Sequence, residues 1–311
     1  MDKYTKEILN LLKNQYIQLF GNHSFKNDSE MQSYWLENYE DNLFRPMDAN
    51  AAKAYGQGAG NEIITGKIGA LKSSSALTYN LFWNQAAEII KSDAEGRIGE
   101  GTYKVEFEKK LCTLKSSSMP AHLDAFLYCP QTEEAIACEM KMTEWIFNKP
   151  GKLRASYLNS DNYFDSKFGK AMVPLAYELM KYEYPMPVRE DYPCGMEHYD
   201  AFQMFKHVCA CYNACKTKNP GEIRKLTLVN CVWTLSDPTI LSEKSYNKYM
   251  STLEMEYMEF NKFKRTMTSI KECFSDINVD FDICFCTVND FLSMMSKSTE
   301  ELNYLRRYTM L

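Results

Sequence analysis

The chain has 311 residues, 45% apolar and 25% charged, which excludes disordered and fibrous classes. Its net charge of −5 argues against a generic basic nucleic-acid coat. No apolar run approaches the roughly 18 residues of a membrane span, no secretory core opens the sequence, and eleven cysteines in so large a chain read as reduced thiols. A soluble cytoplasmic protein with no membrane partner is expected.

In chain order, Ile8, Leu11, Leu12, Leu19 and Phe20 mark a helical stripe that Gly21-Asn22 ends. A second helix is expected over Met31 to Tyr39. The Gly-rich passage from Gly56 to Glu62 lacks the spacing of a dinucleotide fingerprint and no Walker Lys-Ser/Thr follows, so it reads as a flexible connection. Ser73-Ser74-Ser75 caps a helix expected from Ala76 to Lys91. The period then changes. Tyr103, Val105 and Phe107 alternate with charged residues as in a half-buried strand, Leu123 to Tyr128 is a second strand, and Ala135 to Met142 a third. The short turn over residues 129–134 should pair the last two antiparallel. Helices follow near Lys167–Tyr184 and Tyr199–Lys216, separated by the stretch Pro185–Pro193. Leu226–Leu235 reads as a buried strand, Ser242–Cys273 as a long helix, Val279–Val288 as a strand and Asp290–Arg307 as a closing helix. The fold class is α/β, one core with a helical prefix.

The residues that can do chemistry concentrate in the hairpin. Glu139 and Lys141, two apart on a strand, share a face, and the turn folds Asp124 against them. Two converging carboxylates repel unless a hard cation lies between them, and oxygen donors of this kind suit Mg²⁺ or Mn²⁺. The backbone carbonyl of Met140 is a further candidate ligand. Lys141 is placed to orient a water or to stabilise developing charge. Taken alone, Glu-x-Lys on a strand is more often an exposed charge pair.

The string Pro120-Ala121-His122-Leu123-Asp124, the tight turn, and Ala135-Ile136-Ala137-Cys138-Glu139-Met140-Lys141-Met142-Thr143-Glu144 resemble the PD-(D/E)xK nuclease superfamily, more narrowly its bacterial restriction-endonuclease-like branch. The serine-rich stretch from Ser73 to Phe82 and the strand Val105-Glu106-Phe107-Glu108 are similar to that branch as well. The likeness covers roughly residues 56–235. It departs at Leu123, where the motif carries Pro. The resemblance implies a restriction-endonuclease-like core, α-β-β-β-α-β, a mixed sheet flanked by helices, over residues 56–311, with residues 1–55 a helical N-terminal extension and extra C-terminal helices. It implies a Mg²⁺- or Mn²⁺-dependent DNA endonuclease with Asp124, Glu139 and Lys141 at its site, and a fourth acid: Glu62 first, with Glu106 and Glu108, expected to share a face, as competitors. Gln203 resembles the polar residue that the superfamily places on a core helix facing the site.

DNA is the expected partner, and a homodimer is an assembly this reading allows. Residues 141–172 carry six bases against three acids and residues 206–225 five against one. Under the nuclease reading these segments flank the cleft and touch phosphates. Tyr157, Tyr163 and Phe164, interleaved with Lys152, Arg154 and Lys167, read as core aromatics or as a strand-contacting loop. His207, Cys209, Cys211 and Cys215 lie too far around one helix to bind one ion together. A repair or recombination nuclease of the same fold, or a non-catalytic nucleic-acid- or protein-binding module that retains it, are the alternatives, since fold alone does not decide function.

Overall fold

A computed structural model describes residues 1–58, 61–115, 120–181, 188–217 and 222–309. Helices α1 (Lys3–Phe20), α2 (Ala49–Gln57) and α3 (Ser74–Phe82) precede the strands β1 (Ala86–Ile89), β2 (Gly101–Leu111), β3 (Ala121–Cys129) and β4 (Glu134–Lys141). The short helix α4 (Glu144–Phe147), strand β5 (Lys152–Arg154), helix α5 (Ser166–Leu179), strand β6 (Asp191–Pro193) and helix α6 (Ala201–Thr217) follow. Strand β7 (Lys225–Val232), helices α7 (Glu243–Thr266) and α8 (Ile270–Ser275), strand β8 (Asp280–Thr287) and helices α9 (Val288–Met294) and α10 (Thr299–Thr309) complete the chain.

Six strands form one mixed sheet in the order β1-β2-β3-β4-β7-β8. The first four run antiparallel, and β7 and β8 add parallel to β4. Parallel neighbours need crossovers; α5 and α6 lie between β4 and β7, and α7 and α8 between β7 and β8. Covered on both faces, β4 and β7 read as near-continuous apolar runs. One core packs α1, α2, α3, α9 and α10 on one face, so residues 1–55 add to that face of the sheet. The other packs α5, α6, α7 and α8 on the opposite face. All eleven cysteines are free thiols and ten are buried. Among the described residues no helix is long and apolar enough to cross a membrane.

Several expected elements take other forms. Met31–Tyr39 is not a helix: Lys26 N–H donates to the Trp35 carbonyl and Leu36 N–H to that of Gly69, which fixes this segment as extended bridges between 3₁₀ turns. The helix after Ser73 stops at Phe82. Gln85 adopts a left-handed φ of 54°, and Ala86–Ile89 then turns into the edge strand β1. The closing helix is two, because the Met294 carbonyl accepts from Ile90 N–H and Ser296 N–H donates to Glu88, tying the break between them to β1. Helix α2, capped by Asp48 on Ala51 N–H, was not expected. Gly60 and Ala59 of the Gly-rich passage, Pro185, Tyr184 and Lys218 lie outside the described residues.

Candidate active site at the parting of two strands

Strands β3 and β4 pair from Cys129↔Glu134 to Ala125↔Cys138, and there the ladder ends. One step further would set Asp124 opposite Glu139. Instead the Met140 amide donates to Asp124 Oδ2 at 2.7 Å, a contact through the amide of Met140 where the sequence pointed to its carbonyl. The adjoining strand is disturbed at the same level. Phe107↔Ala125 and Lys109↔Leu123 pair, but Glu108 between them does not pair with Asp124, and its φ is 48°. Both strands reverse their side-chain alternation here. Phe107 and Ala125 belong to one core, whereas Leu111 and Leu123 belong to the other. A left-handed residue inside a strand makes such a kink.

The reversal corrects one expectation. Glu106 and Glu108 do not share a face: Glu106 is exposed and paired with Lys109 at 2.5 Å, away from Asp124. Glu108 turns inward, 3.6 Å from His122 Nδ1, and packs so close to Gly58 that a Cβ there would come within 2.6 Å of Glu108 Oε2.

Glu139 and Lys141 do share a face, the one covered by α6. Lys141 Nζ donates to Glu139 Oε1 and to Gln203 Oε1, both at 2.6 Å. The Gln203 amide donates to Glu139 Oε1 at 2.7 Å. His207, one turn further along α6, places Nε2 2.8 Å from Glu139 Oε2. Glu139 is 3% exposed, and the donors around it explain how it stays ionised. Burial raises its carboxyl, but Lys141 and the His207 hydrogen bond outweigh burial and hold it at about 2. Lys141 shows the converse: burial disfavours its charge, yet Glu139, Glu144 and Asp124 raise it above the ordinary lysine value. Asp124 has the opposite balance. Burial, Glu139 and Glu108 push its carboxyl well up against the opposing pull of Lys141 and the Met140 amide.

The structure thus brings together Asp124, Glu139, Lys141 and Gln203, and adds Glu108 and His207. Glu62 lies further out, in a hollow with Lys72 and Glu144; burial raises its carboxyl, Lys67 lowers it, and Glu108 and Glu144 raise it further. His207 was grouped with the neighbouring cysteines in the sequence, although its four-residue spacing from Gln203 puts both on one helical face. Cys209, Cys211 and Cys215 are buried thiols; Tyr157 and Tyr163 are buried among core aromatics, while Phe164 is exposed.

The donor chemistry suits a hard divalent cation. Burial first, and then Glu139 and Glu108, disfavour the Asp124 carboxylate, and a bound cation would favour that charged form. The oxygens that the sequence pointed to for such an ion are those of Asp124, Glu139 and the Met140 carbonyl, and both Glu139 oxygens already accept from neighbours. Among the described residues no three His, Cys, Asp or Glu side chains group closely enough to hold an ion. Comparison of the chain with protein-family models, with curated proteins and with solved structures finds no match.

Proposed function

We propose that this chain is a metal-dependent DNA endonuclease of restriction type, hydrolysing phosphodiester bonds with Mg²⁺ or Mn²⁺. One observation carries the reading: where β3 and β4 part, Asp124 accepts from the Met140 amide at 2.7 Å, between Glu139 and Lys141, whose ammonium donates to Glu139 at 2.6 Å. Asp124, Glu139 and the Met140 carbonyl would hold the cation. Once bound it supplies a water of lowered pKa and neutralises phosphate charge. Lys141, fixed by Glu139 and Gln203, presents an ammonium that orients the water or meets the charge that develops on the phosphoryl oxygens. Gln203 and His207 position Glu139. The antiparallel β2-β3-β4 run, followed by parallel β7 after α6, supports the restriction-endonuclease-like core that the motifs resemble.

A second reading, a binding module that keeps the fold without cleaving, draws on the saturation of Glu139, both of whose oxygens already accept from neighbours. Incubating the protein with plasmid and oligonucleotide substrates under Mg²⁺, Mn²⁺ or chelator separates the two. The nuclease reading expects cation-dependent cleavage that Asp124→Ala and Lys141→Ala abolish. Binding without cleavage under every cation leaves only the module, and a protein that neither binds nor cuts DNA sinks both.

A further inference from the structure

Where the carboxyl ends of the parallel strands β4 and β7 meet α6 and α7, a cavity of about 180 Å³ opens. Crevices at this end of parallel strands are the usual ligand sites of α/β sheets. Lys141 and Asn230 rise from the strands, Gln203 and Met204 from α6, Glu256 from α7 and Trp145 from α4. Two of these side chains stand out. Asn230 and Glu256 are each 2% exposed, and Asn230 Nδ2 and Glu256 Oε2 have no hydrogen-bond partner among the described residues. Buried polar atoms of native proteins are nearly always paired. Two orphans in the wall of one cavity mark a place where something else supplies the partners.

The chemistry of the walls narrows what that is. An apolar ligand would leave both orphans unpaired. An ion finds little purchase: among the lining residues Lys141 and Lys149 offset Glu144 and Asp200, and Lys141, Glu144 and Asp200 are engaged with Glu139, the Met142 amide and the Gln203 amide. No ligand group for a metal forms here among the described residues. The volume lies below the roughly 300–1,000 Å³ of drug-sized sites. Burial and Glu259 raise the Glu256 carboxyl, Lys141 lowers it and Asp200 raises it, leaving it at about 8. At neutral pH it is therefore mostly protonated, offering one donor and one acceptor, as the amide of Asn230 does. Trp145 and Met204 supply flat apolar wall. A neutral, planar, hydrogen-bonding ring satisfies every one of these conditions.

We propose that this cavity receives a single nucleobase turned out of the nucleic acid, with Asn230 and Glu256 reading its hydrogen-bonding edge. The inference rests on the nuclease reading for its substrate but not for its test. Enzymes that extrude a base hold it by contacts to its edge and by packing on its faces, and both kinds of wall are present. The cavity shares Lys141 and Gln203 with the proposed hydrolytic site, so a base held there fixes the register of the strand beside it.

Equilibrium dialysis of the full chain against each of the four deoxynucleosides tests the proposal without cleavage. One nucleoside is expected to bind at least tenfold more tightly than the weakest. Asn230→Leu and Glu256→Leu should each weaken it about tenfold or more, whereas Glu256→Gln, which keeps a donor and an acceptor, should retain it. In duplex DNA a 2-aminopurine at the extruded position should brighten on binding. Four equally weak nucleosides, leucine variants that melt normally and bind as the wild type does, or inorganic phosphate binding better than any nucleoside would each overturn the proposal. If a leucine variant does not fold, the ranking of the four nucleosides on the wild-type protein still decides. Nucleoside binding without DNA cleavage would count against the nuclease reading alone, and cleavage without nucleoside binding against the cavity alone.

Discussion

Glu139 and Asp124 are two carboxylates of one cluster with opposite energetics, and the difference is testable. Glu139 is the counter-charge of a buried ammonium, so Glu139→Gln strands Lys141 without it. Breaking a buried pair in this way costs about 3–5 kcal/mol. Urea denaturation should show that loss, and Glu139→Gln combined with Lys141→Met should recover much of it, because the stranded charge is gone. With its folded-state value lowered to about 2, Glu139 contributes stability that is present above the ordinary carboxylate value and lost as pH falls through the folded one, so that part of acid unfolding should fall between about pH 4.5 and 2. Asp124 reverses the sign. Its raised carboxyl means the fold favours the protonated form, so wild-type stability falls as pH rises from the ordinary aspartate value towards the folded one. Asp124→Asn keeps an acceptor for the Met140 amide and removes the charge. It should be more stable than wild type by about 1 kcal/mol or more in cation-free buffer at neutral pH, with a gap that narrows on acidification. A gap that widens on acidification would mean that Asp124 is not the crowded acid of the site. Excess Mg²⁺ should stabilise wild type and not the variant.

The kink in β2 and β3 is the element that makes this cluster. Glu108 at φ 48° occupies backbone space that costs a non-glycine residue about 1–2 kcal/mol, and strain of that kind gathers at functional sites. Glu108→Gly relieves the strain and withdraws one of the charges crowding Asp124. Its melting temperature should therefore hold or rise while any cation-dependent DNA cleavage falls; a clear drop in stability would mean that the Glu108 side chain supports the fold and not the site. Periodicity made much of this region legible. Tyr103, Val105 and Phe107 alternate as a half-buried strand must, and the short turn at 129–134 sets β3 against β4, so Glu139 and Lys141 could be put on one face with Asp124 near them. The reversal could not be read, because alternation continues through residues 104–107 without a sign that Glu108 breaks it. The edge strand β1 was hidden for a related reason: Ala86 to Ile89 suits a helix as well as a strand, and only pairing with Gly101–Lys104 decides. In residues 31–39 a helical apolar spacing was overridden by backbone bridges to Phe25 and Ala70. His207 could have been found from its spacing to Gln203, but it was weighed only together with three nearby cysteines, as a set that cannot bind one ion.

At the scale of the whole molecule, the question is which bases are left to meet a phosphate backbone on a chain of net charge −5. Counting along the sequence, residues 206–225 looked as basic as residues 141–172. The fold separates them. Lys216 is bonded to Asp165, Arg224 lies 3.4 Å from Glu133 and Lys225 3.1 Å from Glu134, so most of the second segment is neutralised by its own neighbours. Lys167 of the first segment is likewise paired, with Asp276. Lys152 and Arg154 stand exposed on β5 with no ion pair among the described residues, and the main-chain carbonyl of Lys152 accepts from Lys206 of α6, the helix that carries Gln203 and His207. Phosphate contact should therefore fall on β5. Replacing Lys152 and Arg154 together with Gln should weaken binding to all DNA sequences alike and flatten the plot of log affinity against log salt by about two units, near one per lost phosphate contact. Lys216→Gln should leave that slope where it was and lower stability slightly, since what it loses is a partner in Asp165. Fluorescence anisotropy with one labelled duplex between low and physiological salt distinguishes the two variants. Equal slopes for wild type and the double variant would remove β5 from the DNA-binding face and leave a cleft without its phosphate contacts.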